Sequence, residues 1–250
     1  MKINRMIKPF LGSLLVLGVL MACQTNSEVS PTTTTTDLPS VFKKFNSTVQ
    51  ISLDGNYVVI KSDGIPDHKS PYFGKTDARY EAYNGTNTKF QINPNSIQTQ
   101  SLTFRIPLNP TKAASSSATP LGPIGVALNG VPFFNQYAGP NQPLTNEINS
   151  FDQYGGHPQQ TGQYHYHVEP LYLTKTKGTS VLLGFLLDGF PVYGPTENGK
   201  LVANSDLDAY HGHFHATEDY PNGIYHYHIT AQDPYINGSG FYGTAGTVSK

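Results

Sequence analysis

The sequence predicts a mainly β protein, a duplicated β-sandwich or distorted barrel with a pseudo-twofold repeat and few helices. Three observations carry this expectation. Sixteen Tyr and thirteen Phe accompany 24 Gly and 19 Pro, a mixture of strand formers and turn formers. Apolar residues seldom recur at helical spacing. A set of short motifs in residues 121–170 returns in 180–231. The 250 residues are enough for a sizeable core. With 13% charged residues and a net charge of −1, the chain lacks the basic face that phosphate backbones require, which excludes nucleic acid as a partner.

Residues 1–22 read as a lipoprotein signal peptide. Lys2, Arg5 and Lys8 precede an apolar run from Phe10 to Met21, interrupted by Ser13 and too short to span a bilayer comfortably. The run ends in Leu20-Met21-Ala22-Cys23, which resembles the lipobox of bacterial lipoprotein precursors. Cys23 is the expected lipidation site, and each buried methylene of a chain such as palmitate contributes about 0.8 kcal/mol to anchoring. The expected location is the cell envelope, lipid-anchored outside the cytoplasm at the periplasmic or outer-membrane face. The membrane is therefore a predicted partner, while no motif identifies a protein partner. Lipidation would consume the only cysteine, leaving no intrachain disulfide and no thiolate ligand.

Residues 23–40, with the run Thr32 to Thr36 between Pro31 and Pro39, read as a tether with too little apolar surface to fold. The domain is expected over 41–250. Val49 to Leu53 and Tyr57 to Ile60 flank Asp54-Gly55-Asn56, a hairpin pattern. Leu102 to Ile106 alternates apolar and polar residues, and Thr111 to Thr119 reads as a surface loop. Helix is expected only in the leader and in at most one short segment.

Three blocks then recur in the same order. Gly125 to Phe134 matches Gly184 to Tyr193, each a strand, an Asn-Gly or Asp-Gly turn and a second strand. Asp152-Gln153-Tyr154-Gly155-Gly156-His157 matches Asp208-Ala209-Tyr210-His211-Gly212-His213, and Tyr164-His165-Tyr166-His167 matches Tyr225-His226-Tyr227-His228. On a strand, alternate residues share a face about 6.6 Å apart, so His165 and His167 face one way and their tyrosines the other. The same holds for His226 and His228, and a pseudo-twofold axis could bring the two pairs onto one ion. Imidazole suits a transition metal, zinc or copper first. The candidate ligands are His165, His167, His226, His228, His157 and His213. His211, His215, Asp152, Asp208 and His68 are further candidates, either as ligands or as groups that orient an imidazole. The turns Asn129-Gly130 and Asp188-Gly189 are expected to act as turns alone.

The paired Tyr-His-Tyr-His motifs, each preceded by Gly162 or Gly223, together with the Asn/Asp-Gly-x-Pro turns, resemble the YHYH protein family. The likeness extends from about Ser62 to Ile236 and includes Ser62-Asp63-Gly64-Ile65-Pro66-Asp67-His68. It implies an often-exported domain. Relatives place Cys where Tyr154 and Tyr210 stand, so any cysteine bridge or cysteine ligand of the family does not carry over. The leading functional expectation is an exported, lipid-anchored metal-binding protein. The alternatives are a metalloenzyme, either a hydrolase or a copper or iron oxidoreductase, and a surface module whose tyrosines stack on a ligand.

Overall fold

A computed structural model describes residues 37–250 apart from Ser239. The expected signal peptide, Cys23 and most of the tether lie outside the described residues. At the start of the described chain, Leu38 packs against the core and a 3-10 turn runs over Ser40–Lys44. It carries Phe42, which with Phe45 stacks on Phe185 at 4.7 and 6.0 Å.

Strands β1 (Gln50–Asp54) and β2 (Tyr57–Ser62) form the N-terminal hairpin around Gly55, whose φ of 57° suits the turn. Strand β3 (Leu102–Pro107) alternates buried and half-buried residues, as its sequence pattern requires. The next strands are β4 (Pro123–Ala127), β5 (Pro132–Phe134), the short pair β6 (Tyr137–Ala138) and β7 (Gln142–Pro143), β8 (Gly156–Pro158) and β9 (Tyr164–Tyr166). The helix α1 (Leu171–Lys177) follows and stops at Gly178, whose φ is 114°. The second half supplies β10 (Leu182–Leu186), β11 (Pro191–Tyr193), the pair β12 (Thr196–Glu197) and β13 (Lys200–Leu201), β14 (Gly212–His215) and β15 (Ile224–His228). Strand β16 (Thr247–Ser249) closes the small sheet β1-β2-β3-β16.

The large sheet has the order β14-β15-β11-β10-β4-β5-β9-β8. Read from the centre outwards, each half lays down its hairpin and then its two histidine strands, so the order is palindromic. At the centre Val126 opposes Phe185, Gly125 opposes Leu186 and Ala127 opposes Gly184. Gly125 and Gly184 are equivalent in the repeat, as are Val126 and Phe185, so the pseudo-twofold axis passes between those last two residues. A Cβ on Gly125 would meet the Phe185 carbonyl oxygen, and one on Gly184 the Val126 oxygen. The close approach of the two halves therefore requires glycine at both positions.

The outcome is a mainly β, sandwich-like fold with no closed barrel. Central strands β4, β5, β10 and β11 are buried along their whole length. The turns of both hairpins abut the small sheet, where Ser62 Oγ donates to the Gly130 carbonyl at 2.7 Å and Gly189 lies against the Pro107 carbonyl. One apolar cluster includes Ile60, Phe104 and Ile106 of the small sheet and Ile124, Phe133 and Phe185 of the large one.

Candidate metal centres

The tyrosine face explains why three separate blocks recur together. Tyr164 donates its hydroxyl to Asp152 at 2.9 Å, and Tyr225 donates to the equivalent Asp208 at 2.8 Å. One turn away, Asn129 donates to the Tyr166 hydroxyl at 3.1 Å, while Tyr227 donates to Asp188 at 2.6 Å. Every tyrosine of the motif is thus tied to a polar residue of another block. Asn129 and Asp188, beyond forming turns, anchor the inner tyrosines. Asp152 and Asp208 bind tyrosine hydroxyls and the backbone N–H groups of the following turn, and neither meets a ligand imidazole. Tyr164, Tyr166, Tyr225 and Tyr227 are buried, so they fill the core and offer no ligand-stacking surface.

With the tyrosines fixed inwards, the histidines face the other side and form two clusters. In the first, β8 and β9 pair His157 with His165, and His167 follows on the same face. Nε2 of His165 stands 3.1 Å from that of His157 and 3.0 Å from that of His167. Glu147 completes the group, its Oε1 lying 3.1 and 3.7 Å from Nε2 of His157 and His167. In the second, β14 and β15 pair His213 with His226. Nε2 of His226 and His228 are 3.1 Å apart, and Glu197 Oε1 lies 3.4, 3.5 and 3.9 Å from Nε2 of His213, His226 and His228. Each cluster could hold a metal ion.

The two His-x-His pairs do not converge on one ion. In the sheet, β9 and β15 are separated by four strands, and five steps of about 4.8 Å place them roughly 24 Å apart. The symmetry duplicates a site within each half and leaves the axis itself to apolar packing.

Hydrogen bonds on the far side of each ring set the tautomers. Nδ1 of His165 and of His167 face the carbonyls of Gln163 and Asn135 at 3.1 and 2.6 Å. Nδ1 of His226 and of His228 face those of Ile224 and Gly194 at 3.0 and 2.8 Å. A carbonyl only accepts, so Nδ1 carries the proton and Nε2 presents its lone pair. At His157, Nδ1 meets the Ser150 hydroxyl at 2.7 Å, which itself donates to the Glu147 carbonyl, and the Asn93 amide nitrogen at 3.3 Å; the shorter contact places the proton on Nδ1. Nδ1 of His213 faces the Asp206 carbonyl at 3.3 Å, and its buried Nε2 makes no hydrogen bond.

Lone pairs therefore face one another at about 3 Å with no proton among them. Burial drives the His165 pKa well below its ordinary value and those of His167 and His228 to about 4, and it lowers His226 as well. Burial would raise Glu147 and Glu197, but hydrogen bonding and charge from the histidines beside them, His157 and His215 foremost, in the state where those rings are protonated, hold both carboxyls below their usual range. A cation resolves the crowding. Four ligands at about 2.05 Å around zinc define a tetrahedron with edges of about 3.3 Å, close to the spacing of these nitrogens.

The remaining histidines stand apart. His68 bonds the Lys69 carbonyl and the Tyr166 hydroxyl. His211 bonds Thr230 at 3.0 Å and takes a φ of 71°. His215 belongs to the rim of the second cluster, where its Nδ1 meets the outer oxygen of Glu197 at 2.9 Å.

The family model described as YHYH protein matches residues 103–201 and 196–240, more than half of the chain. The chain belongs to the YHYH protein family. In this YHYH protein the matched span covers both clusters and leaves Ser62 to His68 outside it. No curated protein and no solved structure matches the chain.

Proposed function

We propose that this YHYH protein is an exported, lipid-anchored protein that holds two divalent transition-metal ions, zinc or copper, in separate centres. The ligands are Glu147, His157, His165 and His167 in one, and Glu197, His213, His226 and His228 in the other. The observation that carries this reading is the convergence of three Nε2 atoms on a carboxylate in both halves, with each Nδ1 facing an oxygen. Outer partners of this kind fix ring orientation in metal sites and raise ligand basicity. Imidazoles kept neutral by burial need release no proton to bind a cation at neutral pH. Export and anchoring are supported by the leader and by Cys23 following Leu20-Met21-Ala22.

The test is elemental analysis of the full chain, purified in detergent without a histidine tag. About two equivalents are expected, falling to about one in His165→Ala/His167→Ala or in His226→Ala/His228→Ala. A chain that binds neither zinc nor copper on reconstitution would refute the metal reading. Cys23→Ser should move the protein from the membrane to the soluble fraction and abolish fatty-acid labelling; retention at the membrane would refute the anchor.

A further inference from the structure

The two centres share a ligand set but differ in what surrounds them. Around the first, Phe134 stacks on His165 at 3.9 Å and Phe151 lies parallel to His167 at 5.7 Å. The His157 and His167 side chains are 5 and 2% exposed and His165 is 2% exposed, while in the second cluster the His226 and His228 side chains are 0 and 2% exposed and only His213, at 17%, is more open. Around the second, Tyr193 replaces Phe134, meets His226 edge-on at 5.1 Å and hydrogen-bonds Thr217 at 2.8 Å and Asp219 at 3.0 Å. At the position equivalent to Phe151 stands Leu207, which is only partly buried. Beside this cluster lies a cavity of about 340 Å³ whose lining includes Tyr193, Glu197, His226 and His228.

Resting on the metal reading above, we infer that the centres have divided roles. The first is a closed structural centre. The second keeps a coordination position open to the cavity and binds a small, neutral oxygen-donor molecule bearing hydroxyl or amide groups. Zinc sometimes expands from four to five ligands during a reaction, and a ligand entering from the cavity would take that fifth position beside the four protein ligands. Ser180, Thr196, Thr217 and Asn198 line the cavity, the Thr196 and Thr217 hydroxyls already bonded to Thr179 and Tyr193, and hydroxyl and amide side chains pair with hydroxyls and amides in either direction. Glu218 lines the same space beside Glu197, which disfavours a phosphate-like polyanion. The volume lies at the lower end of the roughly 300–1,000 Å³ seen for small-molecule sites, which fits a ligand of modest size. On the opposite side His215 holds the outer oxygen of Glu197, so that carboxylate is kept from swinging into the open position.

The experiment loads the full chain with cobalt(II) and follows its visible spectrum while acetohydroxamic acid, or separately inorganic phosphate, is titrated in. The hydroxamate should saturably perturb about half of the cobalt absorption, and phosphate should bind at least roughly tenfold more weakly. The perturbation should vanish in His226→Ala/His228→Ala and persist in His165→Ala/His167→Ala. Ala216→Phe, at a cavity-lining position that supplies no ligand, should weaken hydroxamate binding at least roughly tenfold at unchanged cobalt content. A chain with two cobalt ions and no response keeps the metal reading and overturns this inference, as does a response that survives Ala216→Phe or the second-centre variant. Phosphate binding as tightly as the hydroxamate would overturn the ligand class. Failure to take up cobalt at all would remove the metal reading and the inference with it.

Discussion

The first half of the repeat packs its histidine cluster against Phe134 and Phe151, and the second sets the matching cluster beside a cavity. The strands, the tyrosine anchors and the carbonyls behind two rings of each cluster correspond one to one, Gln163 with Ile224 and Asn135 with Gly194, while behind the third ring a Ser150 hydroxyl stands where the second half has the Asp206 carbonyl. The carboxylates do not correspond. Glu147 opens the 3-10 turn Glu147–Ser150 after the pair β6–β7, whereas Glu197 sits on β12 itself, at the position equivalent to Ala138. Equivalent backbone has thus kept three ligands fixed while the fourth is supplied from different places. With the glutamate moved into the small hairpin, the segment that covers the first cluster supplies no ligand to the second, and the second cluster borders a cavity.

The largest effect that could break this comparison is loss of a metal. A site filled to a hundred times its dissociation constant stabilises the fold by about 2.7 kcal/mol. His165→Ala/His167→Ala should cost that amount and, in addition, about 2 kcal/mol or more for voids beneath Phe134 and Phe151. His226→Ala/His228→Ala should cost less, because the space beside it is already a cavity. Chemical denaturation with and without chelator measures both; equal losses would contradict the closed and open distinction.

Next in size are the glycines at the axis. Gly125→Ala and Gly184→Ala each drive a methyl into a backbone carbonyl of the other half, and overpacking of this kind costs about 1–3 kcal/mol. The two variants should match within about 0.5 kcal/mol, since the register places them symmetrically. A large inequality in urea midpoints would show that the halves meet asymmetrically.

These features differ in how far the sequence announced them. The hairpin around Gly55, the alternation of β3 and the two repeated halves were legible because turn chemistry and strand period act locally. His157, His165 and His167 were legible as candidates because they sit in matched blocks, as were their partners in the second half. Their assignment to two clusters was not, because strand order decides it: only the placement of β4 beside β10 sends the two motif strands to opposite ends of the sheet. Matched offsets also misdirected. Asp152 and Asp208 recur at equal spacing because each holds a tyrosine, while the glutamates that face the histidines lie outside every repeated block. One signal was present: Glu147 is the sole carboxylate between Phe134 and Asp152.

A smaller effect separates the inner tyrosine anchors, amide in one half and carboxyl in the other. Asp188 is buried, and desolvation raises its pKa to about 6 despite hydrogen bonds from Tyr227 and the Gly243 and Phe190 N–H groups. A carboxyl whose folded pKa exceeds its unfolded value binds protons more tightly when folded. Its contribution is therefore complete below about pH 4 and lost as pH rises through 6. Relative to Asp188→Asn, the wild type should lose about 3 kcal/mol over that window. The buried histidines, whose lowered pKa values act in the opposite sense, cancel in the difference. Thermal melts of both proteins from pH 4 to 7 measure it, and parallel profiles would show that Asp188 is ionised throughout.

The smallest expected difference lies behind the ligands. Ser150 and His215 each support one member of a cluster, but from different surroundings. Ser150 is bonded to the deeply buried His157, so Ser150→Ala leaves a buried N–H without its acceptor and lets the ring turn. Loss of such a partner weakens metal affinity about 10- to 100-fold. His215 is more than half exposed and bonds only the outer oxygen of Glu197, where water can replace it. His215→Ala should weaken the second centre by less than about tenfold and leave the first unchanged. Competition titrations with a metal chelator resolve the two affinities. A larger effect at His215 than at Ser150 would mean that the pose of Glu197, and not burial of the imidazoles, governs how firmly each half holds its ion.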